Sequence, residues 1–399
     1  MNREDFPMLK EDIVYFDNGA TTLKPYCVVE AMNKYYTEHT SNIHRGDYDA
    51  AMITNKLYDD TRDVVAKFIN SDSREIVFTA GTTMSINMVV FGYMRKHLKK
   101  GDEILLTRSE HASNVLPWIK LSEEIGIVIK YMDLDDDYAL TVSNVEKSIT
   151  ERTRVISIAH VTNVIGDVRD VYAIGQICKD KGIYFCVDGA QSVPHLKVDF
   201  KKANMDFLSF SGHKMCGPTG VGILVGKYEL LEEMEPLCYG GGMNESFEAN
   251  NSYELKHAPT KLEAGTPAIA EVIGLKRATE YLMEIGMDNI EKHEYELKKY
   301  LLEEIKDIPN VIIYNKNSKS GIFAFNIEGV FAQESSIYLN HYHIYVRAGN
   351  HCSKMLKDEI NIKNTVRVSM YFYNTKDDVK RLVEALRVNN YFKYIFTSS

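Results

Sequence analysis

The sequence predicts an α/β protein, with a large domain on a mainly parallel sheet and a smaller α+β C-terminal domain. Three observations carry this. Short apolar runs alternate with helical segments along the middle of the chain, the βα pattern of a parallel sheet. After Pro267 the texture changes to longer amphipathic helices with isolated strand-like runs. Three turns that carry reactive or anion-binding residues each follow directly on an apolar run, where open α/β sheets place their ligands.

The strand-like runs are 75–79, 103–107, 127–131, 155–158, 183–187, 207–210 and 221–225. The first leads through a glycine turn into the mostly apolar segment 84–94, which reads as a helix. The acidic run 133–137 reads as a solvated loop. Further on, Thr266 suits a helix cap with Pro267 at the first helical position, and Gly286 suits the end of that helix. A second helix shows Ile290, Leu297 and Leu301 on one face, followed by strands at 311–314 and 321–327. The alternation in 365–370 predicts another strand. Thr375 and Asp378 form the pattern of a capping box ahead of Val379, Leu382, Val383 and Leu386 on one helical face. With no repeat or low-complexity linker, the expected division is 15–266 and 267–399, residues 1–14 packing on the smaller part, with the site between the two domains.

At 399 residues the chain is long enough for a substantial core, and its 45% hydrophobic and 26% charged content is that of a globular protein. The formal net charge of -9 argues against nucleic acid as a partner. Residues 1–12 lack the apolar core of a signal peptide, and no apolar run is long enough to span a bilayer. The cytoplasm is therefore the expected compartment, with no membrane partner. Six scattered cysteines without CxxC pairs argue against structural zinc, any other metal site, or a disulfide framework. Five of them, Cys27, Cys178, Cys186, Cys216 and Cys238, need only a packing role.

The chemistry starts at Lys214, which sits in a small-residue turn after the run 206–210, with Gly217, Pro218, Gly220 and Gly222 preventing a helix. A Schiff-base lysine is found in such a place. Another apolar run ends in Asp188, where a carboxylate serves either as a helix cap or as the anion that keeps a pyridine nitrogen protonated, as pyridoxal phosphate requires. Ala80, Gly81, Thr82 and Thr83 then give a strand, a glycine turn and hydroxyls at a helix start, a pattern suited to phosphate. Each signal is weak singly. Together they point to one cofactor.

Ordered motifs extend this through nearly the whole chain: YFDNGATTLKP from Tyr15, NIHRG from Asn42, FTAGTT from Phe78, EHASNVLPW from Glu110, HVTNVIG from His160, VDGAQ, SGHK, EAGTP from Glu263, RAGNHC from Arg347 and RVSMYFYNT from Arg367. The chain resembles the fold-type I pyridoxal-phosphate enzymes of the class V aminotransferase group, and among them the NifS-like cysteine desulfurases of the Suf type. That resemblance implies a seven-stranded sheet in the large domain. It implies that Lys214 carries the cofactor and moves the substrate α-proton, that Asp188 holds the pyridinium, and that Gln191 faces the phenolic oxygen. His111 matches the histidine that stacks on the ring, and Asn163 the asparagine near its oxygen side and the substrate. Thr82, Thr83, Ser211 and His213 match phosphate-side residues. Thr266 matches a threonine reaching the neighbouring subunit's phosphate, which implies a homodimer.

Arg367, on a predicted strand, matches the substrate-carboxylate arginine, for which a planar guanidinium is suited. Cys352, in a polar loop after Arg347, matches the cysteine that takes up sulfur as a persulfide. Arg347 and His44, with Arg45 beside it, match motifs near the substrate. The implied reaction converts L-cysteine, or L-selenocysteine in a close variant, to L-alanine and passes sulfur to an acceptor protein for iron–sulfur cluster or other sulfur chemistry. Alternatives are another class V reaction (selenocysteine lyase, aminotransferase or epimerase), or a non-catalytic sulfur-carrier subunit. The chain departs from the Suf pattern at Asn350, where a second histidine is usual, and at Ser353, Lys354 and Met355, where a small residue and proline are usual. It also departs near Gly242 and Met84, where relatives carry acids.

Overall fold

In the computed structural model, which describes residues 3–44, 46–314 and 316–388, seven strands form one sheet. Their spatial order is Ile76–Thr79, Gly222–Gly226, Phe207–Ser211, Tyr184–Asp188, Thr153–Ala159, Glu103–Leu106 and Val128–Tyr131. Gly222–Gly226 runs antiparallel to both neighbours, and the other pairings are parallel. Six strands therefore point the same way and end on the same edge.

Alternation along these strands feeds two cores. Phe78, Ile156, Phe185 and Leu208 enter one, while Val77, Val155, Cys186 and Phe207 enter the other. Helices Tyr26–Glu38, Asp49–Ile69, Val171–Lys181 and Ile269–Ile285 cover the first core; Leu116–Ile125 and the helical run that begins at Thr82 cover the second. Both faces are thus shielded, as a mainly parallel sheet requires. The predicted helix at 84–94 is present but changes pitch: an α-helical Thr82–Asn87 gives way to wider π-type turns over Met88–Met94.

A second sheet contains Val311–Tyr314, Ile322–Ile327, Thr365–Ser369 and Arg347–Gly349, in that order and antiparallel throughout. Helices Met287–Ile305, Ala332–His341 and Lys376–Arg387 bring Leu301, Tyr338 and Leu382 against Phe323, Phe325 and Val368. The Thr375 hydroxyl accepts the Asp378 N–H at 3.2 Å and the Asp378 carboxylate accepts the Thr375 N–H at 3.0 Å, completing the capping box.

Two sequence expectations need correction here. Helix Ile269–Ile285 starts two residues after Pro267, with Ala268 as its cap, because the exposed Thr266 hydroxyl faces Asn42 at 3.4 Å instead of capping a helix. That helix also packs in the larger core, so the change from one core to the other falls not at Pro267 but within helix Met287–Ile305, whose Met287 and Ile290 enter the larger core and whose Leu297 and Leu301 enter the smaller. The N-terminal segment touches both cores. Phe6 packs with its ring tilted against Tyr373, centroids 4.5 Å apart, in the larger core, and Val14 pairs with Ile344 at the smaller. Among the described residues no helix is long and apolar enough to cross a membrane, and no group of His, Cys, Asp and Glu could hold a metal ion.

The close approach of two turns is steric in origin. A Cβ on Gly222 would sit 2.4 Å from the Gly81 Cα, so only glycine lets the strand meet the turn ahead of Thr82. Gly222→Ala should cost about 1–3 kcal/mol in urea denaturation; an unchanged midpoint would contradict the packing described.

Candidate active site

Strand register assembles the site. Thr79 and Ser211 both pair with Gly222, while Ser209 and Ala159 both pair with Asp188. The turns after Thr79, Asp188 and Ser211 therefore share one sheet edge. A cavity of about 810 Å³ opens there and is bounded on its other side by residues of the second sheet. Of the sequence-predicted residues, Thr82, Thr83, Ser211 and His213 line it with Asp188, Gln191 and Lys214. His111, Asn163, Arg347, Cys352 and Arg367 complete it.

Lys214 ends the tight turn Gly212–Lys214. Burial pulls its ammonium down to about 8, against the favourable charge of Asp188 and with the help of Arg367. Near neutral pH a useful fraction of the amine is uncharged and nucleophilic. Asp188 closes its strand, and its carboxylate accepts the Ala190 N–H at 2.9 Å. Burial pushes that carboxyl up to about 6, for want of a sufficient counter-charge. Next to it, Gln191 donates to Gly19 O at 2.7 Å, and its Oε1 is buried without a partner.

At the start of the helix, Gly81 takes a φ of 148° and Thr82 follows as the first helical residue. Ser211 Oγ accepts the Thr82 N–H at 2.8 Å and meets Thr82 Oγ1 at 2.6 Å, while Thr83 Oγ1 meets Ser113 Oγ at 2.7 Å. This hydroxyl-rich helix start is a natural anion seat. His111 Nδ1 accepts the Ser113 N–H at 3.1 Å, which leaves the neutral ring's proton on Nε2. Burial, with Lys214 and Arg367 adding to it, holds His111 down at about 4; burial also holds His213 at about 4.

Arg367 is 2% exposed on the strand Thr365–Ser369. Its Nη1 donates to Asn163 O at 2.8 Å and its Nη2 to Asp17 at 3.2 Å, while its buried Nε has no partner. Arg347 grips the same Asp17 with Nε at 3.0 Å and Nη2 at 2.9 Å. Cys352 is exposed, at a φ of 57°, and its carbonyl accepts the N–H of Ala112, the residue after His111, at 2.8 Å. Asn163 Nδ2 donates to His351 O at 2.6 Å and its Oδ1 accepts the Ser353 hydroxyl at 2.9 Å. Asn163 is thus tied to the cysteine loop.

Two predicted residues lie elsewhere. His44 and Thr266 line a separate cleft with Arg62, Lys256 and Gly242, so within one chain they do not reach the main cavity. Arg45 lies outside the described residues. Met84, one of the departures, lines the cavity rim.

The sequence reading missed two structural groups. Asp17 carries no signal of its own in the sequence, since its arginine partners lie 330 and 350 residues away. The second is a fully buried Arg169 tied to Glu110, the residue before His111. It pairs with Glu110 and Asp167 and donates to Thr107 Oγ1 at 2.9 Å and Ser109 Oγ at 2.6 Å. Glu110 also accepts the N–H of Ala159, whose strand neighbour is Asp188. The run of polar residues at 107–110 directly after an apolar strand was the available signal.

A family model described as aminotransferase class V matches residues 14–382. The chain belongs to the class V aminotransferase family. This family member is 40% identical over 398 residues to a probable cysteine desulfurase of Halalkalibacterium halodurans, covering 98% of each chain. Among solved structures it is similar to an apo cysteine desulfurase from Thermococcus onnurineus NA1, with a TM-score of 0.93 and 36% identity over 97% of this chain and 96% of that one. It is equally similar in sequence, at 36%, to the cysteine desulfurase CsdA of Escherichia coli in an S-sulfonic acid form, with a TM-score of 0.91 over 98% and 97% of the two chains.

The raised Asp188 carboxyl has a measurable consequence. Its value of about 6 lies above the ordinary 3.8, so ionising it costs the ligand-free protein stability as pH rises through that window. Asp188→Asn should melt higher than wild type when ligand-free at about pH 7.5, by at most about 3 kcal/mol, with the gap closing below about pH 4. Calorimetry of both across pH checks this, and a pH-independent difference would contradict it.

Proposed function

We propose that this class V family member is a pyridoxal-phosphate-dependent cysteine desulfurase, which converts L-cysteine to L-alanine and retains the sulfur on Cys352. The observation that carries the reading is the convergence of Lys214, Arg367 and Cys352 on one cavity. The curated relatives and the solved structures reported above support the choice of substrate.

The residues present fit the cofactor. The Asp188 carboxylate lacks a counter-charge that a pyridinium nitrogen would supply, the Gln191 Oε1 is unpartnered beside it, and Thr82, Thr83, Ser211 and His213 form an anion seat. Lys214, an amine held at about 8, would carry the aldehyde. When bound, the cofactor supplies an electron sink for the substrate α-carbon.

The chain's own groups do the rest. Arg367 turns its unpartnered Nε toward a need that a substrate carboxylate meets, while Asn163 and Asp17 hold its other nitrogens. The Lys214 amine removes the proton from substrate Cα and returns protons to the carbon skeleton. His111, neutral with its proton on Nε2, can exchange a proton at the substrate sulfur. Cys352 Sγ attacks that sulfur: the substrate Cβ–S bond breaks and an S–S bond forms. The proton given up by Cys352 balances the one gained at Cβ, so no oxidant or reductant is consumed. Alanine leaves, and the persulfide on the exposed Cys352 is reachable by an acceptor protein.

A homodimer belongs to the same reading. His44 and Thr266 line a cleft apart from the chain's own cavity, which is consistent with their serving a neighbouring subunit.

Cys352→Ala should bind the cofactor normally yet lose alanine formation from L-cysteine by about a hundredfold. Arg367→Lys should raise the KM for L-cysteine by about tenfold, through loss of the planar fork. Wild-type alanine production by Cys352→Ala would overturn the assignment of the sulfur to that thiol.

A further inference from the structure

The segment 350–364 connects strands Arg347–Gly349 and Thr365–Ser369 and carries Cys352 near its start. Its backbone is unusual. Gly349 has a φ of 130°, and the next but one residues, His351 and Cys352, lie at 49° and 57°, in the left-handed region that non-glycine residues enter at a cost. Two consecutive left-handed residues persist only where their surroundings impose them.

The imposing group stands in the middle of the segment. Lys357, on helix Lys354–Glu359, is 2% exposed and directs its ammonium back to both ends of the loop. It donates to Gly349 O and, at 2.8 Å, to Asn350 Oδ1 on the entering side. It reaches Lys363 O at 3.1 Å and Asn364 Oδ1 at 3.4 Å on the leaving side. Among the described residues no acid neutralises it: its contacts are carbonyl and amide oxygens, and burial lowers its ammonium to about 8. The helix is seated by Leu356 and Ile360 against Val164 and Ile165, immediately after Asn163. Asn163 then takes hold of His351 O and the Ser353 hydroxyl.

We propose that Lys357 is a positioning residue for sulfur transfer, its ammonium clamping residues 349–350 to 363–364 so that Cys352 is presented at the cavity mouth. The inference rests on the reading of Cys352 as the sulfur acceptor. Asn350 and Ser353 find their use here. Asn350 supplies a clamp oxygen and Ser353 supplies the hydroxyl that docks on Asn163. A histidine or alanine at these positions would offer neither.

The test uses the holoenzyme with two variants, Lys357→Met and the milder Asn350→Ala, whose altered side chain is exposed. Two readouts are needed. The first is the rate of iodoacetamide modification at Cys352, read by peptide mass with Cys238 as the internal control, and it does not depend on activity. The second is kcat against KM for L-cysteine. Lys357→Met should change Cys352 alkylation several-fold while Cys238 is unaffected, and should lower kcat by about tenfold with little change in KM. Asn350→Ala should shift both in the same direction by less. Unchanged alkylation and kcat in both variants would overturn the clamp, as would a Lys357→Met effect confined to KM. If Cys352→Ala keeps full sulfur transfer, the acceptor reading fails, and alkylation still decides whether the clamp exists. If Lys357→Met does not fold, Asn350→Ala decides by the same two readouts.

Discussion

A single buried guanidinium joins the two halves of the cavity. Arg367 belongs to the smaller sheet, yet its Nη1 is engaged by Asn163 O, which follows a strand of the larger one, while its Nη2 meets Asp17, whose backbone bridges Ser369 on Arg367's own strand. Burial of such a charge without partners would be prohibitive, so the Asn163 contact ties the smaller sheet to the larger while Asp17 fixes the guanidinium from its own side. Gly19 makes room for it, since a Cβ there would come within 3.0 Å of the Arg367 Cζ. Placement of the cysteine loop follows, because Asn163 uses its side chain to hold His351 and Ser353 while its carbonyl holds Arg367.

Within the cavity the electrostatics are deliberately incomplete. Lys214 is depressed and Asp188 raised, both chiefly by burial. Neither shift stabilises the fold, and such groups collect where chemistry needs them. Burial and nearby cations keep His111 neutral, and a backbone N–H fixes its tautomer. By contrast, the fully buried Arg169 is paired on several sides with Glu110, Asp167 and two hydroxyls, as a group with a purely structural task should be.

The large sheet was readable from sequence because its inner strands bury both faces and stand out as apolar runs. The three cavity-lining turns were readable for the same reason: Asp188 ends a strand, and Lys214 and Thr82 follow one closely. Thr266 reads as a helix cap because the sequence does not show what its hydroxyl meets, which in the fold is the Asn42 side chain. Asp17 and Lys357 were not legible at all. Asp17 acts through arginines far along the chain, and Lys357 looks like any surface lysine until the loop folds back over it. Conversely, His44 was expected near the substrate from its motif, and the fold of one chain puts it in a different cleft.

The central claim is that the thiol of Cys352 receives sulfur from L-cysteine bound in the cavity that Lys214 and Arg367 share. The most direct measurement is the mass of the Cys352 peptide after a single turnover of the holoenzyme with L-cysteine, without reductant. The account predicts a peptide heavier by one sulfur atom, with one alanine released per modified thiol. Alanine released with the Cys352 peptide unchanged would contradict it.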